Sequence, residues 1–215
     1  VTGDLIKGSI SLDPDGYPLL YFGSRDNKLR VVALDRPQPE LLWDLDASAV
    51  RGIWNNDWDG NPVILDDLLL EGGENSWFFI IKLNRRYDTD GRVVVAPERL
   101  AEVPGYTNDL IAQVGSNVSI ENSPAVFEDR VYFANSGGRI VGLDLSQIAK
   151  GEAPIVFDYW VGDDVDATAR LLDHRVVVSP GRAFGPGGEG YIRLALVPTL
   201  DECAEAAEAV VRCLT

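Results

Sequence analysis

Apolar residues in this chain come in short runs, broken every few positions by Gly, Asn, Asp or Pro. That rhythm predicts strands joined by tight turns, not long helices. Three segments share one outline. The first runs "SLDPDGYPLLYFGSRDNKLRVVALD" and then "PELLWDLDAS". The second runs "NPVILDDLLLEGGENSWFFIIKLN" and then "GRVVVAPERLAEV", and the third "SPAVFEDRVYFANSGGRIVGLDL" and then "APIVFDYWVGDD". Each opens on a short strand and an acidic turn. A strongly apolar strand, a Gly/Asn/Ser turn and a strand ending "VVALD", "IIKLN" or "IVGLD" follow. The repeated pair is Leu34–Asp35, Leu83–Asn84 and Leu143–Asp144, and a last strand carries Trp43, Val94 or Phe157.

Four strands per unit, recurring every ~40–60 residues, describe propeller blades. A lone blade leaves both of its faces apolar, and stacking on neighbours buries them. A β-sandwich is compatible with the same hairpins. The recurrence of the turn and terminal strand in fixed order favours blades.

After Ala169 the grammar changes. "RVVVSPG" reads as a short strand, "RAFGPGGEG" as a loop and "YIRLALV" as a second strand. A final helix follows, with Thr199 and Glu202 as a capping box and an apolar stripe of Leu200, Cys203, Ala207, Val210 and Leu214. The expected fold is therefore mainly β. It comprises a partial propeller of about three four-stranded blades over residues 1–169 and a small α+β appendage over 170–215 ending in a helix.

Charge follows the same division. The whole chain of 215 residues carries net charge -15, with 28 acidic and 14 basic side chains in residues 1–169 but 6 and 5 in 170–215. So acidic a surface repels phosphate backbones and argues against nucleic-acid binding. A hydrophobic fraction of 46% supplies a core, and no apolar run reaches the ~20 residues of a membrane span. No signal peptide is legible at the start, which is Val1, and the chain lacks Met. The expectation is a processed product, a fragment or a non-ATG start. On one helix, Cys203 and Cys213 stand about 15 Å apart, too far for a disulfide.

Over residues 5–168, through "WNNDWDGNPVILDD", "GGENSWFFIIKLNRRYD", "SIENSPAVFEDRVYFANSGGRIVGLDLS" and "PIVFDYWVGDD", the chain resembles the PQQ-like (BamB-type) β-propeller repeat proteins. Those rings close with seven or eight blades, so the resemblance implies an arc cut from a ring, with strand edges open to a protein partner or to self-association. Over 170–214, "VVVSPGRAFGPGGEGYIRLALV" resembles the end of fold-type I, PLP-dependent aminotransferases of the diaminopimelate type. That resemblance makes Arg193 a clamp for a substrate carboxylate, which a planar guanidinium pairs through both oxygens. PLP is not expected, because the matched segment lacks the Schiff-base lysine and the last lysine is Lys150. The two resemblances together suggest a fusion, a chimera or an assembly accident. The propeller likeness implies an extracytoplasmic protein, the aminotransferase likeness a cytoplasmic one.

Candidate chemistry is sparse. Three Asp-x-Asp-Gly stretches, at 13–16, 57–60 and 88–91, make Asp57, Asp59, Asp88 and Asp90 weak calcium candidates, with ordinary hairpin turns preferred. Asp163, Asp164 and Asp166 read as a solvated acidic loop. Trp54 and Trp58, around Asn55, Asn56 and Asp57, could floor a quinone site but are expected to pack between blades. His174 is the single histidine and has no nucleophile motif near it, and "NVS" at 117–119 is a bare glycosylation match. The functional expectation is a non-catalytic binding or scaffold module without a cofactor. A carboxylate-clamp piece of an aminotransferase and a calcium- and PQQ-binding propeller stand as alternatives.

Overall fold

The computed structural model describes residues 2–46, 56–114 and 118–160, together with the backbone of two short paired strands, Ser179–Pro180 and Ile192–Arg193. The boundary expected near 169–170, the terminal helix with its two cysteines, Trp54, His174 and the 163–166 acidic loop lie outside the described residues.

Three four-stranded antiparallel sheets carry the fold, each a meander. Blade 1 holds β1 (Ser11–Leu12), β2 (Leu19–Ser24), β3 (Lys28–Ala33) and β4 (Glu40–Asp46). Blade 2 holds β5 (Val63–Leu65), β6 (Leu68–Gly72), β7 (Trp77–Lys82) and β10 (Glu98–Pro104), with a side hairpin of β8 (Arg86–Tyr87) and β9 (Val93–Val94) before its last strand. Blade 3 holds β11 (Ala125–Phe127), β12 (Arg130–Ala134), β13 (Arg139–Asp144) and β14 (Ile155–Trp160). One short helix, α1 (Asn108–Val114), interrupts the β10–β11 connection, where the Thr107 hydroxyl accepts from the Leu110 N–H at 3.1 Å.

Alternation explains the stacking. Along β7, Phe79 and Ile81 join Leu69 and Leu83 in the core against blade 1, while Phe78 and Ile80 join Leu70 in the core against blade 3. A strand buried on both faces needs no polar side, which is why "WFFII" is a continuous apolar run. Trp58 seals the first junction, fully buried, with its ring 5.1 Å from Phe79 and its indole N–H donating to the Asn27 carbonyl at 3.0 Å.

Cross-strand register refines the repeat. Leu12–Leu20–Val32, Ile64–Leu69–Ile81 and Val126–Val131–Leu143 are equivalent rows. The next residue on that face is marked by its backbone N–H, which donates to the carbonyl just before the second strand. It is Leu34 to Pro18, Leu83 to Asp67 and Leu145 to Asp129. Leu145, not Leu143, is thus the true counterpart of Leu34 and Leu83. Val94 is corrected too: it lies in the β8–β9 hairpin, and the last strand of blade 2 begins at Glu98. All three blades also carry an irregularity at one shared place between third and fourth strands, leaving Leu42, Leu100 and Val156 as the extra residues.

Candidate functional site

In such a meander, the turn between the second and third strands lies at the end where the chain enters and leaves the blade. The β2–β3 and β6–β7 turns therefore share one end with the β4–β5 and β10–β11 connections. Four acidic side chains gather there. Asp57 and Asp59 come from the β4–β5 connection, Glu74 from the β6–β7 turn and Glu121 from the segment before β11.

Two cations from blade 1 and the segment before it answer them. Lys7 Nζ is 3.0 Å from Asp59 Oδ2. Arg25, in the β2–β3 turn, stands 3.2 Å from Asp59, 3.5 Å from Asp57 and 3.6 Å from Glu74. The Ser119 hydroxyl donates to Glu121 Oε1 at 2.5 Å. Burial pushes the Glu74 carboxyl up to about 7, helped by Asp59, Glu121 and Asp57 around it. Asp59 is held below its ordinary value by Arg25 and Lys7, which outweigh its own burial. Carboxylates so crowded either share protons or hold a cation.

Glu71, on β6 three residues before Glu74, is fully buried, its carboxyl pushed well up by desolvation alone. Neither of its oxygens has a hydrogen-bond partner. Sequence reasoning passed over Glu71, Glu74 and Glu121, which lie up to 64 residues from Asp57 along the chain. The one local signal was a Glu inside an otherwise apolar strand, "LLLEGG".

The other sequence candidates separate. Asp88 accepts from the Asp90 and Arg92 N–H groups, both at 2.9 Å, and Gly91 takes φ 75°, so 88–91 is a hairpin turn at the tip of β8–β9. At 13–16, Gly16 takes φ 86° and Asp13 is buried, accepting from the Tyr21 hydroxyl at 2.6 Å and from Arg85 at 2.6 Å. Arg85 also reaches Asp15 at 2.9 Å and Asp67 at 3.0 Å and lies over the Tyr17 ring, clamping blades 1 and 2 at the opposite end. The 57–60 stretch is no hairpin turn at all. It runs between blades with Trp58 buried. Arg193 lies on a two-residue strand paired with Ser179–Pro180, and its side chain is outside the described residues.

Three meander sheets stacked through alternating apolar rows define a partial β-propeller. No family model matches the chain. Among solved structures it is similar to Sqt1 from Chaetomium thermophilum, at TM-score 0.51 and 14% identity over 74% of this chain and 36% of that one. BamB from Moraxella catarrhalis (TM-score 0.35, 18% identity, 74% and 51%) and a europium-containing methanol dehydrogenase (0.49, 15%, 77% and 27%) also match. Among curated proteins, the LL-diaminopimelate aminotransferase of Methanosphaera stadtmanae is 27% identical over 160 residues, 74% of this chain. The chain spans about a third (34%) of that relative's length. A 160-residue match exceeds the 46-residue tail, so it runs into sequence that folds as blades. No helix among the described residues is long and apolar enough to cross a membrane.

Proposed function

We propose that the chain is a non-catalytic binding and scaffold module that takes its partner as a further blade against the outer face of blade 1. One observation carries this reading. The equivalent rows Ile64–Leu69–Ile81–Leu83 and Val126–Val131–Leu143–Leu145 pack into the cores between blades. The same row in blade 1 opens outward, with Leu12 67% and Leu34 42% exposed, and Leu41, paired with Val32 on the fourth strand, is 50% exposed. Leu20 and Val32, between them, are only partly covered. What suits such a row elsewhere in this molecule is the apolar face of another sheet, so a second copy of the arc or a further blade has the matching chemistry.

Sedimentation from low micromolar to ~0.1 mM tests the reading. The chain is expected to associate with rising concentration. The double variant Leu12→Lys, Leu41→Lys is expected to stay monomeric while its melting temperature hardly moves, since both side chains are exposed. A wild-type chain that stays monomeric throughout, or a double variant that associates equally, overturns it.

A further inference from the structure

Both junctions between blades are built from the same three parts. The first is the apolar row that a blade turns toward its predecessor. The second is the face it turns toward its successor, Tyr21–Val31–Trp43 in blade 1 and Leu70–Ile80–Ala101 in blade 2. The third is a plug that precedes a blade's first strand by five residues, Trp58 before β5 and Ile120 before β11. Trp58 donates its backbone N–H to the Ser24 carbonyl at 3.4 Å, and Ile120 to the Gly73 carbonyl at 3.2 Å. Those acceptors hold the same place in successive blades, and both plugs are fully buried. Each presses on a glycine: a Cβ added at Gly23 would stand 2.4 Å from Trp58 Cβ, and one at Gly72 2.1 Å from Ile120 Cγ2.

The two ends of the arc carry the same parts, unmatched among the described residues. Blade 1 presents the row and, five residues before β1, the plug Ile6, 41% exposed. Blade 3 presents the successor face, Tyr132–Gly142–Phe157 with Ile140 and Tyr159 beside it. Tyr132 and Ile140 are half-buried there, whereas their counterparts Tyr21, Leu29, Leu70 and Phe78 are all 0% exposed. The Tyr132 and Phe157 rings meet edge-on at 6.3 Å and close over Gly142, where a Cβ would stand 2.7 Å from Tyr132. Aromatic side chains of this kind are enriched at protein interfaces. Even the acceptor is in place. The Asn135 carbonyl takes the Gly138 N–H of its own turn, as Gly73 takes that of Ser76, and a carbonyl has a second lone pair.

We infer that the partner of blade 1 is blade 3 of a second copy. This rests on the reading that the outer face of blade 1 takes a further blade, and it names that blade. The contact joins two different faces, so it is heterologous, and it recurs until the assembly closes. Two copies bring together six blades, three from each, within the range of about four to eight at which propellers close. The product is a closed pair, in which Ile6 of each copy seats beside Ala134 of the other.

Sedimentation of single and mixed variants tests this, in ~0.15 M salt to screen the repulsion between two acidic chains. Leu12→Lys with Leu41→Lys blocks the head, and Phe127→Lys with Tyr159→Lys blocks the tail. Each double variant alone is expected to remain monomeric at ~0.1 mM, while the equimolar mixture forms dimers through the one sound junction. Ala134→Gly restores the glycine found beside both internal plugs and is expected to tighten the wild-type pair several-fold. A tail variant that associates as wild type overturns the inference and leaves the reading of blade 1 standing. A wild-type chain that never associates overturns both. A mixture that stays monomeric, a wild type that grows past the dimer, or an Ala134→Gly pair no tighter than wild type also overturns the inference. Should the tail variant not fold, Phe127→Lys alone decides, since that side chain is 66% exposed: at least a several-fold weaker pair is expected, and an unchanged one overturns the inference.

Discussion

Ser76 holds a position that glycine fills better. Asn27, Ser76 and Gly138 each stand just before the third strand of a blade, with φ of 68°, 61° and 78°. A side chain there costs about 1–2 kcal/mol against the following carbonyl. Ser76 adds a second cost, since its hydroxyl is buried and bonds to nothing, a penalty of ~1–3 kcal/mol. Glycine gives back up to about 1 kcal/mol through a freer unfolded chain. Ser76→Gly should therefore stabilise the protein by ~1–2 kcal/mol, seen as a higher urea midpoint with unchanged slope. A lower midpoint would show that the hydroxyl has a partner in solution. The same scale shows why the candidate site was hard to read in advance. Three Asp-x-Asp-Gly stretches look alike, yet one is a turn, one part of a clamp and one a strut between blades. The fates of the last two are set by Arg85, Arg25 and Glu74, residues brought near only by folding.

Elements were far more legible than side-chain partners, because alternation and turn chemistry are local. Three blades, their acidic first turns and their Gly/Asn/Ser second turns could be traced from the text. Of the β8–β9 hairpin only the turn at 88–91 could, since "GRVVVAPERLAEV" is apolar enough to pass for one strand. Nor could the shared bulge, because an extra residue between third and fourth strands leaves no compositional mark. Within one such element, the β2–β3 hairpin, charge sets a pH response. Arg30 pairs both oxygens of Asp26 at 2.5 and 2.8 Å, and the Gly3 N–H adds a third bond at 2.7 Å. Arg30 chiefly holds that carboxyl down to about 2, against an ordinary 3.8. A folded-state value below the unfolded one stabilises at pH above the unfolded value and is lost as pH falls toward the folded one. Wild type should thus lose about 1–2 kcal/mol between pH 5 and 2 at this hairpin. Asp26→Asn should be less stable at pH 6 and lose less on acidification. An equal loss in both would place the acid sensitivity elsewhere.

Across the whole molecule, stability follows from how many faces each blade buries. Blade 2 is covered on both sides, with Phe78, Phe79, Ile80 and Ile81 all fully buried, whereas blade 1 is covered on one side. In a linear stack, each unit draws its stability from its neighbours, so the middle one opens last. Hydrogen exchange should find the slowest amides in β6 and β7 and faster exchange in β1 and β4. If the outer face of blade 1 takes another blade, protection in β1–β4 should rise with protein concentration while β6 and β7 stay unchanged. Uniform protection across the three blades would mean that they open as one unit, and that the open face does not control where the arc gives way.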